Sequence, residues 1–321
     1  MTASPIAYIV FNRPRHTRET FAVIRAQRPA KLYIIADGPR PGHPTDAENC
    51  RLVRQIVEQI DWPCEVHRNF AEHNMGCMRR VSSGLDWVFT QVERAIIIED
   101  DCVPNSDFFT FCDALLDKYE NDPRVWVVTG NNWQDGRRRG NASYYFSKYN
   151  HCWGWATWRR AWQHYQVDMP FWSEWKHSAD WRRKTPDPVE RSVWTAIFDR
   201  MQRGEIDTWD YQWTACVWRH GGLTATPNVN LVTNIGFGPD ATHTVSDGDQ
   251  EGIAAYPLGP MTHPLAVLPD AAADRYTFDR QFGGRDHPDR LHNRLRRRRD
   301  QLLRSPRWLA KKISKALGRH A

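Results

Sequence analysis

Residues 95–98 read Ala-Ile-Ile-Ile and run directly into three consecutive carboxylates, Glu99, Asp100 and Asp101. The apolar, β-branched run predicts a buried strand. Pro104 forbids its continuation as a central strand. Asn105 or Ser106 can cap a helix whose apolar positions, Phe108, Phe109, Phe111, Cys112, Leu115, Leu116 and Tyr119, recur at helical spacing. A buried strand thus delivers acidic groups to the end of a sheet, where open α/β folds bind ligands. Adjacent carboxylates repel one another and cost desolvation unless a cation or hydrogen-bond donors compensate. The junction reads as a divalent-metal site; the alternative is a solvated acidic loop after an edge strand.

Strand and helix signals alternate around this junction. Segments 7–11, 32–36, 64–68 and 125–129 are strand-like, and 15–28, 46–60 and 78–92 carry helical periodicity. The alternation from residue 7 to about 130 predicts a doubly wound, Rossmann-like α/β sheet with mainly parallel strands flanked by helices. Beyond Gly130 the pattern changes. Residues 134–143 are polar and basic, and 144–219 are rich in aromatics, with helices predicted over 159–165, 178–184, 189–203 and 208–219. Glycine, proline and small polar residues dominate 221–264, which predicts long loop with little regular structure.

Several function classes are disfavoured. The seven cysteines are odd in number and never form a CxxC pair, which fits a reducing compartment and argues against a disulfide framework or a zinc site of usual spacing. No run of 18 apolar residues exists, and the first residues lack the basic region of a signal peptide, so a cytoplasmic location is expected. The formal charge of +6 is a property of the tail: residues 285–321 hold thirteen Lys/Arg against three Asp/Glu, leaving the other 284 residues net acidic. Nucleic acid is therefore not an expected partner of the body. Within the tail, Leu309, Ile313, Ala316 and Leu317 share a helical face beside Trp308, and Lys311, Lys312, Lys315 and Arg319 flank it. That basic amphipathic pattern suits the surface of an anionic membrane, at its cytoplasmic face. Thirteen of the sixteen tryptophans lie between Trp126 and Trp218. Their flat faces suit sugar rings as well as protein cores.

Five features fall where an α/β ligand site would lie. Arg13 follows the first strand and Asp37 the second. Asn74-Met75-Gly76, with Arg79 and Arg80, precedes a helix. The acidic triplet follows a central strand, and Asp210 lies in the aromatic region. Transfer from a nucleotide diphosphate needs such a set. Charge grows on the diphosphate as its bond breaks, and a cation on hard oxygen ligands, helped by an arginine, neutralises it. Mg²⁺ or Mn²⁺ suits those ligands. A separate carboxylate must take the proton of the acceptor hydroxyl.

Over roughly residues 6–245 the chain resembles the GT-A (nucleotide-diphospho-sugar transferase) glycosyltransferases, most closely the N-acetylglucosaminyltransferase I family. The matching pieces are Ile9-Val10-Phe11-Asn12-Arg13, Ile34-Ile35-Ala36-Asp37-Gly38, and Ile96-Ile97-Ile98-Glu99-Asp100-Asp101 followed by Asp107-Phe108-Phe109. Further along come Asp122-Pro123-Arg124-Val125-Trp126, Trp153-Gly154-Trp155, Trp209-Asp210, and Pro227-Asn228-Val229 ahead of Phe237-Gly238. The resemblance implies that the triplet is a version of the DxD motif, with Asp101 on the metal and Glu99 and Asp100 on the ribose and sugar. It implies that Asp37 reads the uracil, Arg13 contacts the nucleotide or diphosphate, Trp209 lines the sugar pocket, and residues 236–244 form part of a mobile loop over the donor. Asp210 would be the base of an inverting displacement. His243 would assist the metal or diphosphate, or be an ordinary loop histidine. The chain departs from the family pattern in having Tyr211-Gln212, not a second acid, after Trp209-Asp210.

These readings divide the chain into a GT-A domain over 1–265, with a nucleotide-sugar half (1–130) and an acceptor half (131–265), and a C-terminal extension over 266–321. The function expected is metal-dependent, inverting transfer of a sugar, GlcNAc among the candidates, from a UDP-sugar to a glycan or lipid-linked saccharide, as in surface polysaccharide assembly. Two alternatives stand beside it. One is a sugar-phosphate nucleotidyltransferase, which would show a Gly-rich basic loop where this chain has Phe11-Asn12-Arg13-Pro14. The other is an inactive sugar-nucleotide-binding or lectin-like protein held at a membrane by its tail.

Overall fold

The computed structural model describes residues 2–237 and 253–304. The first half follows the expected alternation: β1 (Ile6–Val10), α1 (Pro14–Gln27), β2 (Lys31–Ala36), α2 (Asp46–Val57), β3 (Glu65–Phe70), α3 (Cys77–Phe89) and β4 (Arg94–Glu99). Pro14 opens α1, where its missing N–H costs nothing, and Arg28 closes it in the left-handed conformation at φ 49°. All five residues of β1 are buried, as expected of a strand covered on both faces. Then come β5 (Cys102–Pro104), α4 (Ser106–Lys118) and β6 (Val125–Thr129). Asn105 caps α4 by accepting the Phe108 amide at 3.1 Å.

The second half departs from expectation. The aromatic stretch contains two strands, β7 (Tyr144–Ser147) and β8 (Trp155–Trp158), before the short helices α5 (Arg159–Trp162), α6 (Trp172–Trp175) and α7 (Ala179–Lys184), and the longer α8 (Pro188–Gln202) and α9 (Asp210–Arg219). The stretch expected to be loop contains β9 (Leu223–Pro227) and β10 (Val232–Asn234). β9 is an interior strand of the sheet, fully buried although its sequence, Leu-Thr-Ala-Thr-Pro, is only weakly apolar. The segment after residue 265 begins with α10 (Ala271–Gln281) and α11 (Leu291–Arg304).

The main sheet runs β3-β2-β1-β4-β8-β6-β9-β7, and β5 pairs antiparallel with β10 in a separate two-stranded ladder. Six of its eight strands point the same way; β7 and β8 run against them. The sheet is thus mainly parallel but mixed. β8 inserts between β4 and β6, so the chain reverses at the centre of the sheet.

Each face of the sheet has its own core. One packs against Phe21 and Ile24 of α1, Val53 and Val57 of α2, and Phe108, Phe111 and Leu115 of α4. The other packs against α3 and the aromatic helices and holds most of the tryptophans. Twelve of the thirteen tryptophans between Trp126 and Trp218 are buried, and only Trp153 keeps appreciable exposure. The aromatic density is therefore chiefly core. α10 docks on this half: the Asp270 amide bonds to the Phe146 carbonyl at 2.8 Å, Ser147 donates to the Asp274 carboxylate, and Phe278 is fully buried. No helix among the described residues is long and apolar enough to cross a membrane.

Candidate active site

Parallel register brings the acidic triplet to the end of β1. Ile9 pairs with Glu99, so Asp100 and Asp101 emerge beside the chain as it leaves β1 for Arg13. The Arg13 guanidinium bonds to Asp100 and lies 3.0 Å from Asp101 Oδ2. The Phe11 amide also points to Asp100, at 3.4 Å. Burial raises the pKa of Asp100, with the Arg13 charge acting against that shift. Glu99 is pushed up to about 8 by burial and then by repulsion from Asp101 and Asp100. Burial works against the Arg13 charge, but the two aspartates outweigh it and hold the guanidinium firmly protonated.

The segment 232–237 closes one side of Asp101. The Ile235 amide bonds to the Asp101 carbonyl at 2.8 Å, and the Gly236 amide to Asn234 Oδ1 at 2.7 Å. A Cβ on Gly236 would stand 2.1 Å from Asp101 Oδ2, so only glycine allows this approach. β5 and β10 pin the two segments together.

Asp37 ends β2 and is 5% exposed. Its carboxylate accepts the Gly38 and Met75 amides at 2.8 and 2.9 Å and the Asn74 side chain at 2.9 Å. Burial raises its pKa, opposed by those backbone donors. The bonds tie the end of β2 to the loop before α3. Arg80, on the first turns of α3, is buried beside it and bonds to the Asn69 side chain at 3.0 Å.

Asp207, which the sequence reading did not single out, completes the junction. Its carboxylate accepts the Cys77 and Met78 amides, at 3.1 and 2.9 Å, at the N-terminus of α3. Gly76, at φ 79°, approaches it so closely that a Cβ would lie 2.8 Å from Asp207 Oδ2. Three residues later Asp210 opens α9, accepting a hydrogen bond from Thr208. Trp209 is buried and stacks on Trp155 at a centroid distance of 5.3 Å.

One cleft of about 380 Å³ is lined by Arg13, Asp37, Glu99, Asp100, Asp101, Trp209 and Asp210, together with Arg40, Asn74, Arg80, Asp207 and Trp153. Arg13, Asp37, the acidic triplet, Trp209 and Asp210 thus share one space, and residues 13 and 210 meet across nearly two hundred positions. Arg79 is absent from its lining. His243 lies outside the described residues.

Among the described residues no group of three or more His, Cys, Asp or Glu is disposed to hold a metal ion. That does not disagree with Mg²⁺ or Mn²⁺, which typically bind through one or two carboxylates and complete their shells with water and substrate phosphates. The Asp101 carboxylate, hard in its donor chemistry and 15% exposed at the cleft, fits such a substrate-completed site.

No protein-family model matches the chain, and no curated protein sequence matches it either. Solved structures similar to it include a 4-diphosphocytidyl-2C-methyl-D-erythritol synthase from Anaerococcus prevotii, at 9% identity over 70% of this chain and 88% of that one, with a TM-score of 0.36. Another is the mannosyltransferase PcManGT from Pyrobaculum calidifontis in complex with GDP-Man and Mn²⁺, at 12% identity over 67% and 74% of the two chains, with a TM-score of 0.37. A UDP-glucose pyrophosphorylase complexed with UDP-glucose matches half of this chain and 78% of its own, at 10% identity and a TM-score of 0.29. These likenesses are too distant to assign an activity or a residue role.

Proposed function

We propose that the protein is an inverting glycosyltransferase that moves a sugar from a nucleotide diphosphate donor, a UDP-sugar in the first instance, to a hydroxyl of a saccharide acceptor, glycan or lipid-linked. The observation that carries the reading is the convergence of Arg13, the acidic triplet and Asp210 on one cleft. Asp37 would face the nucleobase as an acceptor, its carboxylate fixed by Gly38, Met75 and Asn74. Arg13, released in part from Asp100 and Asp101, would face the diphosphate. Asp101 would hold Mn²⁺ or Mg²⁺, which when bound supplies positive charge against the departing diphosphate.

The Asp210 carboxylate would accept the proton of the acceptor hydroxyl as that oxygen attacks the anomeric carbon. The new bond forms on the face opposite the breaking sugar–phosphate bond, the electron pair leaves with the nucleoside diphosphate, and the configuration inverts. GlcNAc as the sugar and surface polysaccharide as the product remain sequence-based proposals. So does docking of the basic tail on an anionic membrane, since 305–321 lie outside the described residues. Sedimentation with anionic liposomes, with and without residues 296–321, tests that docking; equal sedimentation refutes it.

A thermal-shift screen of nucleotide sugars with and without Mn²⁺ tests the central reading. One donor should stabilise the protein, and more so with the metal. If no nucleotide sugar shifts the transition under either condition, the proposal fails. Donor binding with neither transfer nor donor hydrolysis would favour the inactive-binder alternative.

A further inference from the structure

We infer that Arg40 is a further nucleotide-binding residue, whose guanidinium is held as a flat plate on which the nucleobase stacks. The inference deepens the glycosyl-transfer reading above and rests on it for the presence of a nucleotide.

The plate begins in the sequence of the loop after β2. Arg40 lies between Pro39 and Pro41. A residue that precedes proline is confined largely to extended backbone, and the prolines themselves have fixed φ, so this stretch has little freedom to lose on ordering. Arg40 follows Asp37 by three residues, and both line the cleft together with Phe11.

Asp46, the first residue of α2, fixes the guanidinium by one edge. Its carboxylate is 1% exposed and accepts Arg40 Nε at 2.6 Å and Nη2 at 3.0 Å. The same carboxylate accepts the Arg40 amide at 3.2 Å and the Asn12 side chain at 2.7 Å. Two parallel bonds from a guanidinium fork to a buried carboxylate set the orientation of its plane. They use an edge of the group and leave both of its faces unbonded.

One face is backed by an aromatic ring: Arg40 Cζ lies over Phe11, 5.5 Å from the ring centroid. The Arg40 side chain nevertheless keeps 41% of its surface exposed on the cleft. A plane fixed at its edge, backed by a ring and still open to the cleft suits a flat ligand. Nucleobases stack on guanidinium planes as they do on aromatic rings. A base whose edge meets Asp37 would rest its face on Arg40. Asp46 already balances the Arg40 charge, so the contact on offer is the plane and not a new ion pair with the diphosphate.

Calorimetry on the full chain with Mn²⁺ tests the inference with two ligands, UDP and ribose 5-diphosphate, which is UDP without its base. Arg40→Ala should weaken UDP about tenfold and leave ribose 5-diphosphate unchanged. Arg40→Lys keeps a cation beside Asp46 but has no plane. It should weaken UDP likewise, and it serves if the alanine variant does not fold. Equal losses for the two ligands would mean that Arg40 acts by charge on the diphosphate, and would overturn the inference. So would unchanged UDP affinity in either folded variant, which would leave the Arg40–Asp46 pair a staple of the loop. UDP binding that depends on Arg40, in a protein that neither transfers nor hydrolyses any nucleotide sugar, would remove the transferase reading and leave the plate standing. Sugar transfer with UDP affinity indifferent to Arg40 would do the reverse.

Discussion

The Arg13 guanidinium spans the two aspartates of the triplet, bonded to Asp100 and 3.0 Å from Asp101 Oδ2. Asp100 is nearly buried, so its charge is sustained chiefly by this contact. Removing one partner of a buried pair leaves the other uncompensated. Arg13→Ala should therefore lower stability by about 3 kcal/mol, read as a reduced urea midpoint. An unchanged midpoint would mean that other groups carry the Asp100 charge.

Asp101 is the triplet member proposed to hold the metal. Asp101→Ala should abolish the Mn²⁺-dependent part of UDP binding in calorimetry while leaving a folded protein. Undiminished metal-dependent affinity would move the metal elsewhere.

Gly236 tests the same carboxylate by geometry alone. A Cβ there would stand 2.1 Å from Asp101 Oδ2, so Gly236→Ala must displace the carboxylate or the 232–237 segment. Misplacement on the ångström scale costs on the order of a hundredfold in rate. Turnover of Gly236→Ala should fall by that order with little change in melting temperature. Wild-type turnover would show that the Asp101 position is not critical.

Asp210→Asn should bind donor normally and lose transfer by roughly 10²–10⁴-fold, the usual worth of a general base. Near-normal turnover would exclude Asp210 as the base and turn attention to Asp207, three residues earlier on the same cleft.

Asp274, on α10, gives a pH prediction away from the site. Burial raises its pKa to about 6, against an ordinary 3.8, although Ser147 and the Lys148 amide donate to it. The folded state then holds the proton more tightly than the unfolded chain. Stability from this group is present below about pH 4, is lost as pH rises to about 6, and is level above that, a loss of roughly 2–3 kcal/mol. Asn keeps the acceptor and carries no charge. The gain in urea midpoint of Asp274→Asn over wild type should thus be larger at pH 7.5 than at pH 4.5; an equal gain would refute the shifted titration.

The first half of the fold was legible because most of its strands are buried on both faces, the edge strand β3 being the exception. Runs such as Ile6–Val10 and Lys31–Ala36 announce themselves whatever lies next to them. β8 and β9 were not legible. Trp-Ala-Thr-Trp and Leu-Thr-Ala-Thr-Pro are short and only partly apolar, and they become strands through the neighbours that hydrogen-bond them. The tryptophans likewise carried two meanings in the sequence, and packing assigned twelve of thirteen to the core.

The sequence by itself determined where acids end strands: Asp37 after β2 and Glu99-Asp100-Asp101 at β4, because buried apolar runs must stop where charge begins. Tertiary structure decided which of those acids share a space. The Ile9–Glu99 register aligned the triplet with Arg13, α9 delivered Asp210 to the same cleft, and Asp207 tied the approach to α9 onto the N-terminus of α3 beside Gly76. Such meetings depend on register and packing across nearly two hundred residues, which no local pattern of side chains encodes.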